Sequence, residues 1–149
     1  MVMSKNQIKV LNKSRHALPE YQTAGAACVD VRANIDEPIT LGSLERAAVG
    51  TGLYFELPGG VEIQVRPRSG LAAKNGISIV NSPGTVDSDY RGELKVILIN
   101  LSHDPFTIED GDRIAQLMFA RYEPVEFELA AELSETERGD GGFGGTGTK

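Results

Sequence analysis

Residues 53–65, LYFELPGGVEIQV, place two runs of alternating apolar side chains on either side of a Pro-Gly-Gly turn. Alternation with a period of two is typical of a half-buried β-strand, and a glycine-rich turn between two such runs predicts a hairpin. Many short strands with Gly and Pro between them predict an all-β barrel or sandwich. The strands predicted in this way are 8–11, 28–32, 53–57, 61–65, 77–80, 94–101, 113–119 and 125–129.

One short helix is predicted within this β pattern, over the sequence LAAK at residues 71–74. Ser69 is the expected N-cap, and Gly76 is expected to end the helix with a positive φ. A doubly wound nucleotide-binding fold would need long amphipathic helices between its strands, and the sequence has no such pattern.

Length and composition favour one domain of a soluble protein. The chain has 149 residues, a net charge of −6 and a single cysteine, Cys28. A lone cysteine forms no intrachain disulfide, which fits a reducing compartment. The acidic balance argues against a general nucleic-acid or anionic-membrane binder. The chain also has neither a run of ~20 apolar residues nor the apolar core of a signal peptide, so we expect a cytoplasmic protein.

Residues 66–72, RPRSGLA, bring a guanidinium and a hydroxyl to the start of the predicted helix. Free backbone N–H groups and the helix dipole add positive potential there, so the segment suits a phosphate. The alternative is an ordinary capped helix with surface arginines.

Residues 81–94, NSPGTVDSDYRGEL, form a turn-rich segment with three acids, an arginine and a tyrosine. Acids beside a phosphate seat can hold magnesium-bound water or act as a general base. The alternative is a polar hairpin, in which Asp and Asn simply suit the turns.

Two further segments combine polar groups with a special backbone. Residues 111–119, GDRIAQLMF, enter a strand with Gln116 among apolar residues, where it could position a ligand or pin the strand. Residues 138–147, RGDGGFGGTG, lie in a glycine-rich tail from Ser134 onward that is unable to bury a core. Its backbone N–H groups could wrap a phosphate, or the tail could be a disordered end.

These four segments, in this order, resemble motifs two to five of the trimeric dUTP diphosphatases. Residues 26–33, AACVDVRA, resemble the first motif, with Cys28 where glycine is common. The resemblance extends from about Ala26 to the end of the chain. It implies a distorted, jelly-roll-like antiparallel β-barrel with one short helix. Residues 1–133 would form this domain, and residues 134–149 a mobile arm that closes the active site.

The resemblance implies chemical roles for three positions. Asp87 matches the general base that activates water for attack on the α-phosphorus. Tyr90 would pack against the deoxyribose and exclude a 2′-hydroxyl, and Asp30 would orient magnesium-bound water.

Other positions would contact the substrate. Those expected to read uracil in the hairpin are Asn81, Gly84, Thr85 and Val86. Those expected to hold the phosphates or approach the nucleotide are Arg68, Ser69, Gly70, Lys95 and Gln116. Those expected in the closing tail are Arg138, Phe143, Gly144 and Thr146.

The implied enzyme is a magnesium-dependent homotrimer whose active sites are shared between chains. It would hydrolyse dUTP to dUMP and pyrophosphate, keeping uracil out of DNA and supplying dUMP for thymidylate synthesis. Such chemistry needs one base, one Mg²⁺ and dense positive charge. One alternative is a dCTP deaminase of the same fold, which would use a glutamate near the hairpin and lack the Phe-containing tail. The other is a non-catalytic β-trimer that binds nucleotides or a protein.

Overall fold

The computed structural model describes residues 7–143, and within them the regular structure consists of eleven short strands and one helix. The elements are β1 (Lys9–Asn12), β2 (Val29–Arg32), β3 (Ile39–Leu41), β4 (Arg46–Gly50), β5 (Leu53–Glu56), β6 (Val61–Arg66), α1 (Ser69–Asn75), β7 (Ile77–Ile79), β8 (Gly84–Val86), β9 (Lys95–Asn100), β10 (Phe106–Ile108) and β11 (Arg113–Arg121). The prediction of an all-β fold with one short helix is confirmed.

The strands pair antiparallel in sheets of different sizes. A four-stranded sheet has the order β2-β11-β6-β8, and a three-stranded sheet has the order β4-β9-β7. Two strand pairs, β1-β5 and β3-β10, complete the pairing in residues 7–143. Apolar side chains from all of these sheets meet in one core, for example Leu41, Phe55, Ile63 and Val96.

Strand β6 shows how the alternation of the sequence divides the four-stranded sheet into two faces. Val61, Ile63 and Val65 are buried in the core, whereas the intervening polar residues are only half-buried. Cross-strand partners lie on the same face of a sheet. The polar face therefore continues from Arg66 to its partner Gln116 on β11, and from Gln116 to Asp30 on β2. This arrangement brings three predicted motifs to one surface.

The chain turns at Pro58, but β5 and β6 on either side of this turn do not pair with each other. The hairpin predicted for residues 53–65 is therefore wrong. The Val61 N–H donates to the Pro58 carbonyl oxygen at 3.2 Å, so the chain does turn there. However, β5 pairs with β1, and β6 pairs with β11 and β8. Turn residues specify where the chain changes direction, but strand partners depend on which faces enter the core.

Other strand predictions also need correction. Strands β3, β4, β8 and β10 were not predicted, because they are short and most include small or polar residues. The strand predicted at 125–129 is wrong, since this segment has no regular structure. Phe127 and Leu129 within it are 95% and 100% exposed. A strand needs a hydrogen-bonding partner, and none lies beside this segment in residues 7–143.

The N-cap of helix α1 lies one residue before the predicted cap. Arg68 occupies the N-cap position, and Ser69 is the first helical residue, so the prediction that Ser69 caps the helix is wrong. Gly76 has a φ of 66° and its N–H donates to the Ala72 carbonyl oxygen at 3.1 Å. The predicted glycine end is therefore confirmed. In residues 7–143, no helix has the length and apolar character needed to cross a membrane.

Candidate active site

A depression of about 340 Å³ lies between the turn after β8 and the start of β9. The sequence-predicted residues that line it are Thr85, Val86, Asp87, Tyr90 and Lys95. Ala48, Glu93, Leu94 and Ile97 complete its wall. Asp87, Tyr90 and Lys95 therefore line the same small depression. A carboxylate that could serve as a general base lies there beside an aromatic ring.

The turn that carries Asp87 and Tyr90 is held by its own hydrogen bonds. The Tyr90 N–H donates to the Asp87 carbonyl oxygen at 3.2 Å. Arg91 Nη1 donates to the Ser88 carbonyl oxygen at 2.8 Å and to that of Tyr90 at 3.2 Å. The Tyr90 hydroxyl donates to the Glu93 carbonyl oxygen at 3.1 Å. The Asp87 side chain remains exposed and is free to meet a ligand or water.

The segment that enters this turn depends on a close backbone approach at Gly84. Gly84 pairs with Val65, and a Cβ on Gly84 would lie 3.1 Å from Asn81 Nδ2 and 3.3 Å from Val65 Cβ. A side chain here would push Asn81 away from the backbone of β8. Asn81 and Gly84 are thus adjacent, although neither lines the depression.

A second cluster surrounds Asp30 on the polar face of the four-stranded sheet. Gln116 Nε2 donates to Asp30 Oδ1 at 3.2 Å. Arg68 Nε lies 3.4 Å from the same oxygen, and Arg113 Nη1 lies 3.6 Å from Asp30 Oδ2. The Asp30 side chain is only 13% exposed. Two guanidinium groups and an amide therefore balance one partly buried carboxylate.

Arg68 links this cluster to the start of helix α1. Its Nη1 donates to the Arg113 carbonyl oxygen at 3.1 Å. Its Nε is buried and, among residues 7–143, has no partner in hydrogen-bond geometry. Ser69 and Gly70, the next two residues, are exposed in the first helical turn, where backbone N–H groups lack intrahelical partners. An arginine and exposed first-turn residues therefore lie together at the start of α1.

Arg113 is the residue of this cluster that the sequence interpretation left without a role. It also borders a cavity of about 280 Å³, together with Asp30, Arg32, His16 and Glu20. The signal in the sequence was its position at the start of strand 113–119, three residues before Gln116. Arg113 lies opposite Arg32 where β11 pairs with β2, and its side chain reaches Asp30 two residues further back along β2.

Asp110 anchors His16, which lines this cavity, and its neighbour Arg15. The Ile35 N–H donates to Asp110 Oδ1 at 3.0 Å, and His16 Nε2 lies 3.1 Å from the same oxygen. These two contacts, and then Arg15, lower the pKa of Asp110 to about 2. The carboxylate is therefore ionised at neutral pH and holds residues 15 and 16 against the start of the loop after β2. Sequence analysis gave no role to this contact, since its members are far apart in the chain.

The described part of the tail makes contacts within itself. Arg138 Nε donates to the Gly141 carbonyl oxygen at 2.7 Å, and Phe143 is fully exposed. Gly144 and Thr146, also predicted to contact the substrate, lie outside the described residues.

The two clusters occupy different places on the chain. The depression beside Asp87 is lined by neither Asp30, Arg68 nor Gln116. One chain therefore carries two separate regions. The base-and-aromatic region contains Asp87 and Tyr90, and the cationic region contains Arg68 and Arg113.

Comparisons with known proteins identify the family of this chain. A model of the dUTPase family matches residues 14–147. The deoxyuridine 5'-triphosphate nucleotidohydrolase of Fusobacterium nucleatum is 58% identical over 145 residues, covering 97% of this chain and 99% of that protein. The corresponding protein of Treponema denticola is 59% identical over 130 residues, covering 87% and 90%. The dUTPase of Staphylococcus bacteriophage 80alpha, in a structure with dUPNHPP, superposes with a TM-score of 0.86 at 25% identity, covering 96% and 99%. Because the family match extends over nearly the whole sequence, this chain belongs to the dUTPase family.

Proposed function

We propose that this chain hydrolyses dUTP to dUMP and pyrophosphate, and so keeps uracil out of DNA and supplies dUMP for thymidylate synthesis. The observation that carries the proposal is the convergence of Asp87, Tyr90 and Lys95 on one depression in a member of the dUTPase family. Relatives at 50–59% identity carry the name deoxyuridine 5'-triphosphate nucleotidohydrolase. The lone Cys28 supports a reducing, cytoplasmic location.

In this mechanism Asp87 is the general base. Its exposed carboxylate takes a proton from a water molecule as the water oxygen attacks the α-phosphorus. The bond from the α-phosphorus to the bridging oxygen breaks, and pyrophosphate leaves with that oxygen. The protein forms no covalent bond to the substrate, so its contribution is positioning and charge stabilisation.

The cluster around Arg68 would hold the triphosphate. The Arg68 side chain stays 30% exposed while its Nε lies 3.4 Å from Asp30, so the side chain as a whole remains accessible to an anion. The N–H groups of Ser69 and Gly70 open toward solvent at the start of α1, and Gln116 and Arg113 lie beside Asp30. Guanidinium groups and helix N–H groups are both strong phosphate donors.

Magnesium fits this cluster through water. Both Asp30 oxygens already face donor or cationic groups, so the carboxylate is poorly suited to direct metal binding. A carboxylate oxygen keeps lone pairs for a further hydrogen bond, and Mg²⁺ retains several waters and favours phosphate oxygens. Asp30 would accept hydrogen bonds from metal-bound water, and the ion would offset phosphate charge. Asp30 also keeps Arg68 and Arg113 in place.

The substrate range tests the activity. We expect dUTP to release pyrophosphate with a kcat/KM at least ~200-fold above that of UTP, dTTP or dCTP, since steric exclusion in a rigid turn exceeds the ~1–3 kcal/mol of a simple apolar pocket. Tyr90 would exclude the ribose hydroxyl, and the segment from Asn81 to Val86 would reject the thymine methyl. Pyrophosphate assays with the four nucleotides measure this. Ammonia release from dCTP would indicate the deaminase instead, and no turnover of dUTP would reject the proposal.

We also propose that the active site is shared in a homotrimer. The separation of the two clusters on one chain supports this, because the base-and-aromatic region of one copy could then face the cationic region of another. The exposed apolar side chains after β11 provide a surface to bury between copies: Tyr122, Val125, Phe127, Leu129 and Leu133.

The assembly prediction concerns mass. Light scattering of the purified protein is expected to give about three times the chain mass of 16.0 kDa. Charge substitutions Phe127→Glu and Leu129→Glu, on the exposed segment after β11, are expected to lower both the mass and the turnover of dUTP. An active monomer would contradict the shared-site proposal.

We further propose that residues 134–149 act as an arm that closes over bound substrate. The described part supports this role, because all of its side chains are exposed and Arg138 bonds only within the arm among residues 7–143. Arg138 would neutralise phosphate charge, Phe143 would stack on uracil, and Gly144 and Thr146 would bind the terminal phosphate.

A further inference from the structure

We propose that Gly92 determines sugar specificity. The Tyr90 ring occupies the space that a side chain at position 92 would fill. The inference rests on the proposed function, in which Tyr90 closes the sugar site against a 2′-hydroxyl. It assigns to Gly92 a positioning role: the residue contacts no substrate and acts through the aromatic ring two residues before it.

The contact between Gly92 and Tyr90 leaves no room for a methyl group. A Cβ on Gly92 would lie 2.5 Å from Tyr90 Cζ and 2.9 Å from Cε2, and it would also overlap the hydroxyl oxygen. Real Cβ atoms essentially never approach other heavy atoms within 3.0 Å, so something must move. The φ of Gly92 lies outside the left-handed region, so an alanine backbone is allowed there. The obstacle is therefore the tyrosine ring and not the backbone conformation.

The chain that follows Gly92 is fixed to the connection between β4 and β5. The Gly52 N–H donates to Glu93 Oε1 at 3.0 Å. The Leu94 N–H donates to the Leu53 carbonyl oxygen at 2.8 Å, and Thr51 Oγ1 donates to the Leu94 carbonyl oxygen at 2.7 Å. The Thr51 and Leu94 side chains are buried. Moving the backbone of residue 92 in this direction would break hydrogen bonds inside the core, which is costly.

The chain before Gly92 is fixed by the turn itself. The Arg91 guanidinium bonds the carbonyl oxygens of Ser88 and Tyr90, and the Tyr90 N–H bonds that of Asp87. By contrast, the Tyr90 side chain is 48% exposed, and its hydroxyl has one protein partner in residues 7–143, the Glu93 carbonyl oxygen. An exposed hydrogen bond is readily exchanged for water. The ring is thus the part that yields when residue 92 gains a side chain.

Displacement of the ring would open the sugar site. Tyr90 lines the depression together with Asp87, and a ring turned toward solvent no longer forms that wall. A ribonucleoside triphosphate would then be admitted, whereas the base-reading segment and Asp87 would stay where they are. The expected consequence is a loss of discrimination between dUTP and UTP, with less effect on the discrimination between dUTP and dCTP.

The test compares Gly92→Ala with Gly59→Ala. Gly59 lies in the turn after β5, has nothing within 4 Å of an added Cβ and has no positive φ, so it controls for the glycine-to-alanine change. Gly92→Ala is expected to lower the ratio of kcat/KM for dUTP to that for UTP at least ~10-fold, the scale of a lost steric contact in a pocket. Gly59→Ala is expected to leave the ratio unchanged. An unchanged ratio in a folded Gly92→Ala protein would overturn the inference.

A double-mutant cycle with Tyr90→Ala separates action through the ring from general disruption. If Gly92 acts through Tyr90, adding Gly92→Ala to Tyr90→Ala changes the dUTP/UTP ratio by less than ~2-fold. The melting temperatures of the same four proteins give a readout that needs no substrate. Gly92→Ala is expected to lower the melting temperature, because the new Cβ overlaps the Tyr90 ring. In the double variant, Tyr90→Ala removes the ring and is expected to reverse that loss.

The outcomes distinguish this inference from the proposed function. Additive effects on both the ratio and the melting temperature would overturn the positioning role of Gly92, even in an active enzyme. Absence of dUTP hydrolysis by the unaltered protein would instead reject the proposed function, while the melting cycle would still show whether residue 92 contacts Tyr90.

Discussion

Replacing Asp87 by asparagine is expected to lower the turnover of dUTP about 100- to 10,000-fold, the usual effect of losing a general base. Asparagine keeps the size of the side chain but accepts no proton from the attacking water. The turn itself should be unaffected, because the hydrogen bond from the Tyr90 N–H goes to the Asp87 backbone carbonyl oxygen. The exposed side chain also carries no core packing. The change should therefore act on the chemical step.

The matched control is Asp89→Asn, two residues further along the same turn. Asp89 is also an exposed acid, but it does not line the depression. We expect its turnover to stay within a few-fold of the unaltered protein. Calorimetry with a non-hydrolysable dUTP analogue should show that Asp87→Asn still binds, which separates loss of chemistry from loss of affinity. Near-normal turnover by Asp87→Asn, or an equal loss in both variants, would contradict the assignment of the base.

Local pattern predicted the elements of this fold better than their partners. The alternation in residues 61–65 predicted β6 almost to its ends, because three apolar side chains must enter the core together. The same reasoning made residues 53–65 a hairpin, whereas β5 pairs with β1. It also made 125–129 a strand, although its apolar side chains are exposed in the single chain. Both errors arise because a strand's partner is set by tertiary contacts and not by the local pattern.

The candidate site also has a part that the sequence could predict and a part that it could not. The depression could be anticipated from residues 81–94, since most of its polar members are close in sequence. The cluster around Asp30 could not be assembled by such reasoning, because Asp30 and Gln116 are separated by 86 positions and meet only when β2 pairs with β11. The contact between Gly92 and Tyr90 is local in sequence, yet it depends on where the ring turns. No residue pattern specifies that direction.

Removing the residues after Glu137 is expected to lower turnover of dUTP at least ~100-fold, the scale of losing one well-placed charge-stabilising donor. The truncation removes Arg138 and Phe143 along with the positions predicted to bind the terminal phosphate. Ordering an arm costs ~1–2 kcal/mol per residue in backbone entropy, so only a ligand with both a base and a triphosphate offers enough contacts to offset it. Closing over that ligand would exclude water other than the nucleophile.

The truncated protein should keep its fold and assembly, which makes the experiment interpretable. Residues 134–143 are exposed and contribute nothing to the core, and the apolar segment after β11 remains intact. Light scattering and thermal melting should therefore match the full chain, while pyrophosphate release falls. The point variants Arg138→Ala and Phe143→Ala should each reproduce part of the loss, and Glu135→Ala, an exposed change in the same arm, should reproduce none. If the truncated protein hydrolyses dUTP at close to the full-length rate, the arm does not close the site.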